Sequence, residues 1–369
     1  MARILFSYAT PLPDKLTGIS IYAWRILEAL VRHGRHDYVL ATNWHEEKLP
    51  PAIRALGIPI VERTVPLNES RMLIANARDL QKLRKRLGAS LIFHPQPTAM
   101  LWGMADSVVV LHDLYRVTHP ELHSMAKRLQ WQFGTAASFR RSGALVAVSN
   151  ATRDAAVAAY PDIAAKTVVV HEASPMAVPD TQVRPTSIQH DFFGLMVANI
   201  TPNKNVGVLF EALEMLAARG IRPRVALAGR DDIGALPDLF AKYPNAAVTA
   251  IGPVSDAELA ALYGAAAAYI NASLVEGFCL PILEAHSFGL PVICSDIPVL
   301  HEVAGEGAAF FDPRSPAALA DAIARLYQDA DYAAAMGARA QANATRFSWE
   351  KAAIETEAVF DTVLNRLGR

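Results

Sequence analysis

Glu276-Gly277-Phe278-Cys279-Leu280-Pro281-Ile282-Leu283-Glu284 carries two glutamates eight positions apart around a sharp change of pattern. Before it, Ala265 to Asn271 is a short apolar run suited to a strand. After it, Ile282, Leu283 and Ala285 open a helix, with Pro281 at its first position. The nine residues therefore read as a strand-to-helix junction. Gly277 lets the backbone come close to a ligand. The amides of Gly277, Phe278, Cys279 and Leu280 fall at a helix N-terminus, where backbone N–H groups attract anions and hydroxyls. Glu276 lies in the loop and Glu284 one turn into the helix, so both carboxylates can reach one molecule. Carboxylates accept from pairs of hydroxyls, and the expected ligand is polyhydroxylated and carries a phosphate.

Outward from this junction, short β-branched runs alternate with helical patterns, which predicts parallel, doubly wound sheets. In the first half the strands fit Ile4–Tyr8, Tyr38–Thr42, Leu91–His94, Ser107–Leu111, Ala144–Val148 and Thr167–Val170. Helices fit Ile19–Val31, Leu73–Leu87, Ser124–Ser138 and Ala151–Ala159. Ser174 to Asp191 breaks the pattern and reads as a linker. The alternation restarts with strands at Phe193–Ala198, Arg224–Ala228, Ala247–Ile251, Ala268–Asn271, Val292–Ser295 and Ala309–Phe311. Its helices fit Val206–Ala218, Asp256–Gly264, Pro281–Phe288, Pro316–Gln328 and Tyr332–Thr345, and Trp349–Leu367 is helical too.

The chain has 369 residues, enough for two domains, and is 52% hydrophobic and 19% charged, ordinary for an α/β enzyme. Its start lacks the apolar run of a signal peptide, and no run of 18 apolar residues predicts a membrane span. Cys279 and Cys294, the two cysteines, make neither a disulfide framework nor a metal cluster, so a cytoplasmic location is expected. Residues 1–180 hold 21 Lys and Arg against 15 Asp and Glu, whereas residues 181–369 hold 14 against 21. A basic first half points to an anionic surface. No nucleic-acid-binding motif accompanies it, and nucleic acid is not expected as a partner.

From Asn271 through Asp296, then Pro298-Val-Leu-His-Glu302-Val and Gly307 to Pro313, the sequence closely resembles the signature of family 4 retaining glycosyltransferases. The likeness runs, more weakly, from about residue 2 to 350. It implies the GT-B fold: two doubly wound Rossmann-like domains facing across a cleft. These would be an acceptor-side domain, 1–180, and a nucleotide-sugar domain, 190–345, with the helix in 346–369 crossing back to the first. The implied reaction moves a hexose, mannose being the first expectation, from a GDP-, UDP- or dTDP-sugar to a hydroxyl of a glycan or lipid-linked acceptor. It uses no cofactor and no metal. A phosphorylase, a nucleotide-sugar epimerase and a silent sugar-binding protein are the alternatives.

The resemblance also assigns roles. Glu284 would hold the ribose diol. Glu276 with the amides of Gly277, Phe278, Cys279 and Leu280 would hold the sugar. Lys204, in Asn199-Ile-Thr-Pro-Asn203-Lys204, falls where the family neutralises the departing diphosphate. The chain departs from the common pattern there: Asn199 stands where arginine or threonine is frequent, and Asn203 where arginine often precedes the lysine. His112, after the run Val108-Val-Val-Leu, is the expected sugar contact from the first domain, with Asp113 orienting the turn. Gly18 resembles the glycine of the family's first loop, and Arg230 follows a strand whose end faces the nucleotide. No Gly-x-Gly-x-x-Gly follows the first strand, which disfavours a dinucleotide oxidoreductase. Asp329-Ala-Asp331 mimics a metal motif but follows a helix, not a strand. Finally, Arg71 to Leu87 reads as a basic amphipathic helix, with Lys82, Arg84, Lys85 and Arg86 beside leucines. It predicts peripheral contact with anionic lipid on the inner face of the membrane, and Met125–Arg141 is a second such candidate.

Overall fold

A computed structural model describes residues 1–10, 17–65, 69–97, 104–118, 125, 134–176, 178 and 193–369. The chain divides into two compact units, Met1–Ala173 with Ser348–Arg369, and Ser174–Phe347. Most of the expected helix Ser124–Ser138 and most of the expected linker lie outside the described residues, as do Lys127, Arg128, Trp131 and Phe133 of the basic candidate Met125–Arg141, whose Arg140 and Arg141 end the helix Ala136–Arg141.

The first unit is built on a seven-stranded sheet. Its strands are β1 (Arg3–Tyr8), β2 (Asp37–Thr42), β3 (Ile60–Glu62), β4 (Leu91–His94), β5 (Ser107–Leu111), β6 (Ala144–Ala147) and β7 (Thr167–Val169). They pair in the order β3-β2-β1-β4-β5-β6-β7, and every pair is parallel. A parallel sheet covered by helices on both faces needs strands that are apolar throughout. β4 and β5 meet that need, being buried at every position. The helix Trp349–Arg366 packs on this unit. Phe360 meets Phe93 at 5.1 Å, and Glu357 accepts from the amides of Arg35 and His36 and from the Tyr38 hydroxyl at 2.6 Å.

The second unit has β8 (Gly194–Val197), β9 (Val225–Ala228), β10 (Val248–Gly252), β11 (Ala268–Asn271), β12 (Val292–Ser295) and β13 (Ala308–Phe311). The order is β10-β9-β8-β11-β12-β13, again all parallel. In both units the strand order reverses beside the first strand, between β1 and β4 and between β8 and β11. Such a reversal splays the loops at the strand carboxyl ends and opens a crevice for ligands.

Elements not expected from the sequence include β3, the short helices Pro51–Arg54 and Tyr115–Thr118, the helix Leu236–Lys242 and the helix Pro298–Ala304. The basic helix, Glu69–Arg86, forms, but its charges do not all face outward. Arg84 is 7% exposed, pairs with Asp106 at 2.9 Å and donates to Ala89 O. Only Lys82, Lys85 and Arg86 of the four expected cations are exposed. The carboxylate of Asp106 and the carbonyl of Ala89 give the Arg84 guanidinium better partners inside than water does outside. Among the described residues no helix is long and apolar enough to cross a membrane.

Candidate active site

In the second unit the sequence-predicted residues collect where β8 and β11 end, on the two sides of the strand-order reversal. β8 runs into the turn Pro202–Lys204, and Asn205, in the left-handed conformation at φ 52°, hands the chain to the helix Val206–Ala218. An asparagine tolerates that conformation better than most residues. Its side chain is anchored by donation to Pro313 O at 2.8 Å. The turn is tied to the loop after β11 by the Leu274 amide, which donates to Asn203 O at 2.8 Å.

Across that tie Lys204 Nζ meets Glu276 Oε1 at 2.6 Å, with side-chain exposures of 25% and 12%. Ser273 donates to the same oxygen at 2.7 Å. The pair joins the two loops that were read separately in the sequence, and its residues were expected to serve diphosphate and sugar respectively. A carboxylate this close fixes the ammonium in position. Asn203 accepts from the Thr201 hydroxyl at 2.7 Å, so it shapes the turn. Asn199, exposed, accepts from the Arg230 amide at 3.2 Å, and Arg230 pairs with Asp232 at 3.3 Å on the surface. Beside them a Cβ at Gly229 would collide with the carbonyl of Ala198, so only glycine lets these two strand ends approach.

The loop after β11 closes into the helix Leu280–Ser287. Its unusual backbone falls on Cys279, at φ 84° and ψ 68°, a region a side chain rarely enters. Asn271 Nδ2 donates to the Cys279 sulfur at 3.3 Å, and burial raises the thiol well above its ordinary pKa. Phe278 and Leu280 are buried in the same turn. Glu284 is 5% exposed, not a solvated helix charge. Tyr263, fully buried on the helix Asp256–Ala265, donates to Glu284 Oε2 at 2.7 Å.

The first unit holds His112 directly after β5 and 7% exposed. Nε2 lies 2.8 Å from Pro95 O and Nδ1 3.2 Å from Glu172 Oε1, and Tyr22 stands edge-on to the ring at 4.7 Å. Two acceptors thus face the two ring nitrogens. Asp113 accepts from the Tyr115 amide at 3.2 Å, the turn-orienting part expected of it. Gly18 begins the helix Gly18–His33, capped by Thr17, whose side chain accepts from Ser20 N; nothing lies within 4 Å of where its Cβ would be. Asp329 caps the helix Ala330–Ala344 by accepting from Tyr332 N at 2.9 Å, which accounts for the metal-like Asp-Ala-Asp.

Ser273, Glu172 and Tyr263 were not singled out in the sequence. Tyr263 acts on Glu284 and Glu172 on His112 across a distance in sequence, and no local spacing announces such contacts; Ser273 acts on Glu276 from three residues away in the same loop. An aromatic on a helix, as Tyr263 is, reads as core.

Two family models match the chain. The one described as Glycosyl transferases group 1 covers residues 180–343, and Glycosyltransferase Family 4 covers residues 16–173. An O-antigen chain mannosyltransferase B of Escherichia coli is 26% identical over 391 residues, with 96% of this chain and 98% of that protein aligned. The O-antigen chain mannosyltransferase RfbU of Salmonella typhimurium is 26% identical over 325 residues, covering 85% of this chain and 88% of its own. Among solved structures, Anabaena HepE in complex with UDP and glucose superposes with a TM-score of 0.74 at 19% identity, over 97% of this chain and 99% of that one.

Proposed function

Because the chain belongs to glycosyltransferase family 4 and is a glycosyltransferase with the GT-B fold, we propose that it moves mannose from a nucleotide diphosphate sugar to a hydroxyl of a growing glycan or lipid-linked acceptor, with retention of configuration. One observation carries this reading: the Lys204–Glu276 pair joins the carboxyl ends of β8 and β11 at the strand-order reversal. The mannosyl choice is supported by the two O-antigen relatives, both mannosyltransferases.

In the proposed reaction the bond from the sugar C1 to the diphosphate oxygen breaks, and a bond from C1 to the acceptor oxygen forms. The acceptor proton passes to the leaving phosphate oxygen on the same face of the sugar, so no protein nucleophile is required. Negative charge grows on the diphosphate as that bond breaks. Lys204 would meet it, together with the amides at the start of the Leu280–Ser287 helix. Glu276, released from the lysine, accepts from sugar hydroxyls, and Glu284 accepts from the ribose. His112 is proposed to orient the sugar, with its own orientation fixed by Glu172 and Pro95 O. The phosphate charge is met by the lysine and backbone amides, so we propose that no metal takes part.

The test is release of nucleoside diphosphate from a panel of GDP-, UDP- and dTDP-sugars with a mannan-type or lipid-linked acceptor, in excess EDTA. GDP release from GDP-mannose, with mannose found in the acceptor, is expected. Turnover of a different sugar would overturn the mannosyl assignment. Activity lost in EDTA and restored by Mg²⁺ would overturn metal independence, and no transfer from any donor would favour a silent binding protein.

A further inference from the structure

The carboxylate of Glu284 is held from behind. Tyr263 lies on the helix Asp256–Ala265, 21 residues earlier in sequence, and its hydroxyl donates to Glu284 Oε2 at 2.7 Å. A second acceptor, Pro281 O, is 3.4 Å from the same hydroxyl. A phenol has one proton to give, and the shorter contact, to a charged oxygen, is the stronger bond. The ring is fixed as well. It is fully buried, stacks on Phe288 at 5.6 Å with 25° between planes, and lies 6.0 Å from Tyr269. Burial, and after it the Glu284 carboxylate, push the phenol well above its ordinary pKa, so it remains a donor at any physiological pH. A glutamate side chain buried at 5% exposure is held in one rotamer by such a partner.

We infer that Tyr263 is a positioning residue for donor binding: it fixes one oxygen of Glu284 so that the carboxylate is set to accept from the two ribose hydroxyls of a nucleoside diphosphate. The inference rests on the proposed nucleotide-binding role of Glu284. Tyr263 touches neither sugar nor phosphate. Its influence should fall on nucleotide affinity, and on the discrimination of ribose from deoxyribose, more than on the bond-breaking step.

Tyr263→Phe tests this, because it keeps the ring and its stacking while removing only the donor. The probes are GDP and UDP with their 2′-deoxy counterparts, titrated calorimetrically into the full chain, alongside kcat and KM for the donor. With Tyr263→Phe, affinity for the preferred ribonucleotide should fall about tenfold, the scale of one charge-assisted hydrogen bond. The preference over the 2′-deoxy form should shrink toward that of Glu284→Gln, KM should rise more than kcat falls, and the melting temperature should stay close to that of the parent. If Glu284→Gln loses affinity while Tyr263→Phe binds and discriminates like the parent, the positioning role is wrong and the nucleotide site stands. If Glu284→Gln itself binds both nucleotide forms as the parent does, the reading of the site fails instead. A Tyr263→Phe protein that is destabilised yet keeps the parent's ribose preference would assign the tyrosine a structural role only.

Discussion

Lys204 and Glu276 are 2.6 Å apart, and the charge of each is the reason for the other's position. If Lys204 meets charge that grows as the leaving group departs, its loss acts on the transition state more than on the ground state. Lys204→Ala should therefore lower kcat by about 100-fold or more, the usual effect of removing one such group. KM for the donor should change much less, and steady-state kinetics decides it. A variant with the parent's kcat would remove Lys204 from the chemistry. Cys279 makes a separate claim about stability. At φ 84° its Cβ is strained, by about 1 kcal/mol or more, whereas glycine adopts that backbone freely. Cys279→Gly sets that relief against loss of the buried sulfur and its bond from Asn271, so its thermal midpoint should stay within a few degrees of the parent's, whereas Cys279→Val, β-branched in a left-handed position, should lower it clearly. The roles of the charged residues could be proposed from the sequence because they cluster in two short motifs. What could not be read was which groups hold them. Tyr263 and Glu172 act through contacts that exist only once distant parts of the chain are folded together.

Elements were legible in proportion to their length and pattern. β4, β5, β11 and β12 occupy the residues expected of them, since each is an unbroken apolar run bounded by turn residues. β3 has three residues after Pro59, and Leu236–Lys242 has seven with Pro237 near its start. Both are too short for a period to show. The Glu69–Arg86 helix was found, but the facing of its charges was not, because Asp106, the partner of Arg84, lies on another element. That contact changes the design of a membrane test. Lys82, Lys85 and Arg86, exposed together, should carry any binding to anionic vesicles. Changing these three to glutamine should abolish salt-sensitive cosedimentation without altering the melting temperature. Arg84→Gln should instead destabilise the fold, by about 1–3 kcal/mol, because it removes the nearest cation of the buried Asp106 carboxylate and leaves it only Gln81 and the more distant Arg369. Vesicle binding unaffected by the triple change would place the lipid contact elsewhere or nowhere.

At the scale of the whole molecule, each unit carries a buried neutral histidine. Burial lowers the pKa of His286, which accepts from Asn343, to about 4. Burial, and then the charge of Arg63, lowers that of His94 to about 3. In the unfolded chain both would take up protons near pH 6.5. Because the folded values lie below the unfolded one, the unfolded state binds more protons in between. The associated stability is fully present above pH 6.5 and lost as pH falls toward 4 and 3, at about 1.4 kcal/mol per pKa unit. The melting temperature should drop markedly between pH 7 and pH 5, and His286→Gln should flatten that slope. An unchanged melting temperature across this range would show that neither ring governs acid stability.

The two sheets share one strand order and one reversal, yet the charged pair that defines the site stands at the reversal of the second, between β8 and β11. The nucleotide of the donor is proposed to bind there. Hydrogen–deuterium exchange with and without saturating GDP or UDP measures this directly. Protection is expected in the peptides spanning 199–205 and 273–284, and it should be weakened by Lys204→Ala and Glu284→Gln. Protection confined to other segments, or none at saturating nucleotide, would contradict the account.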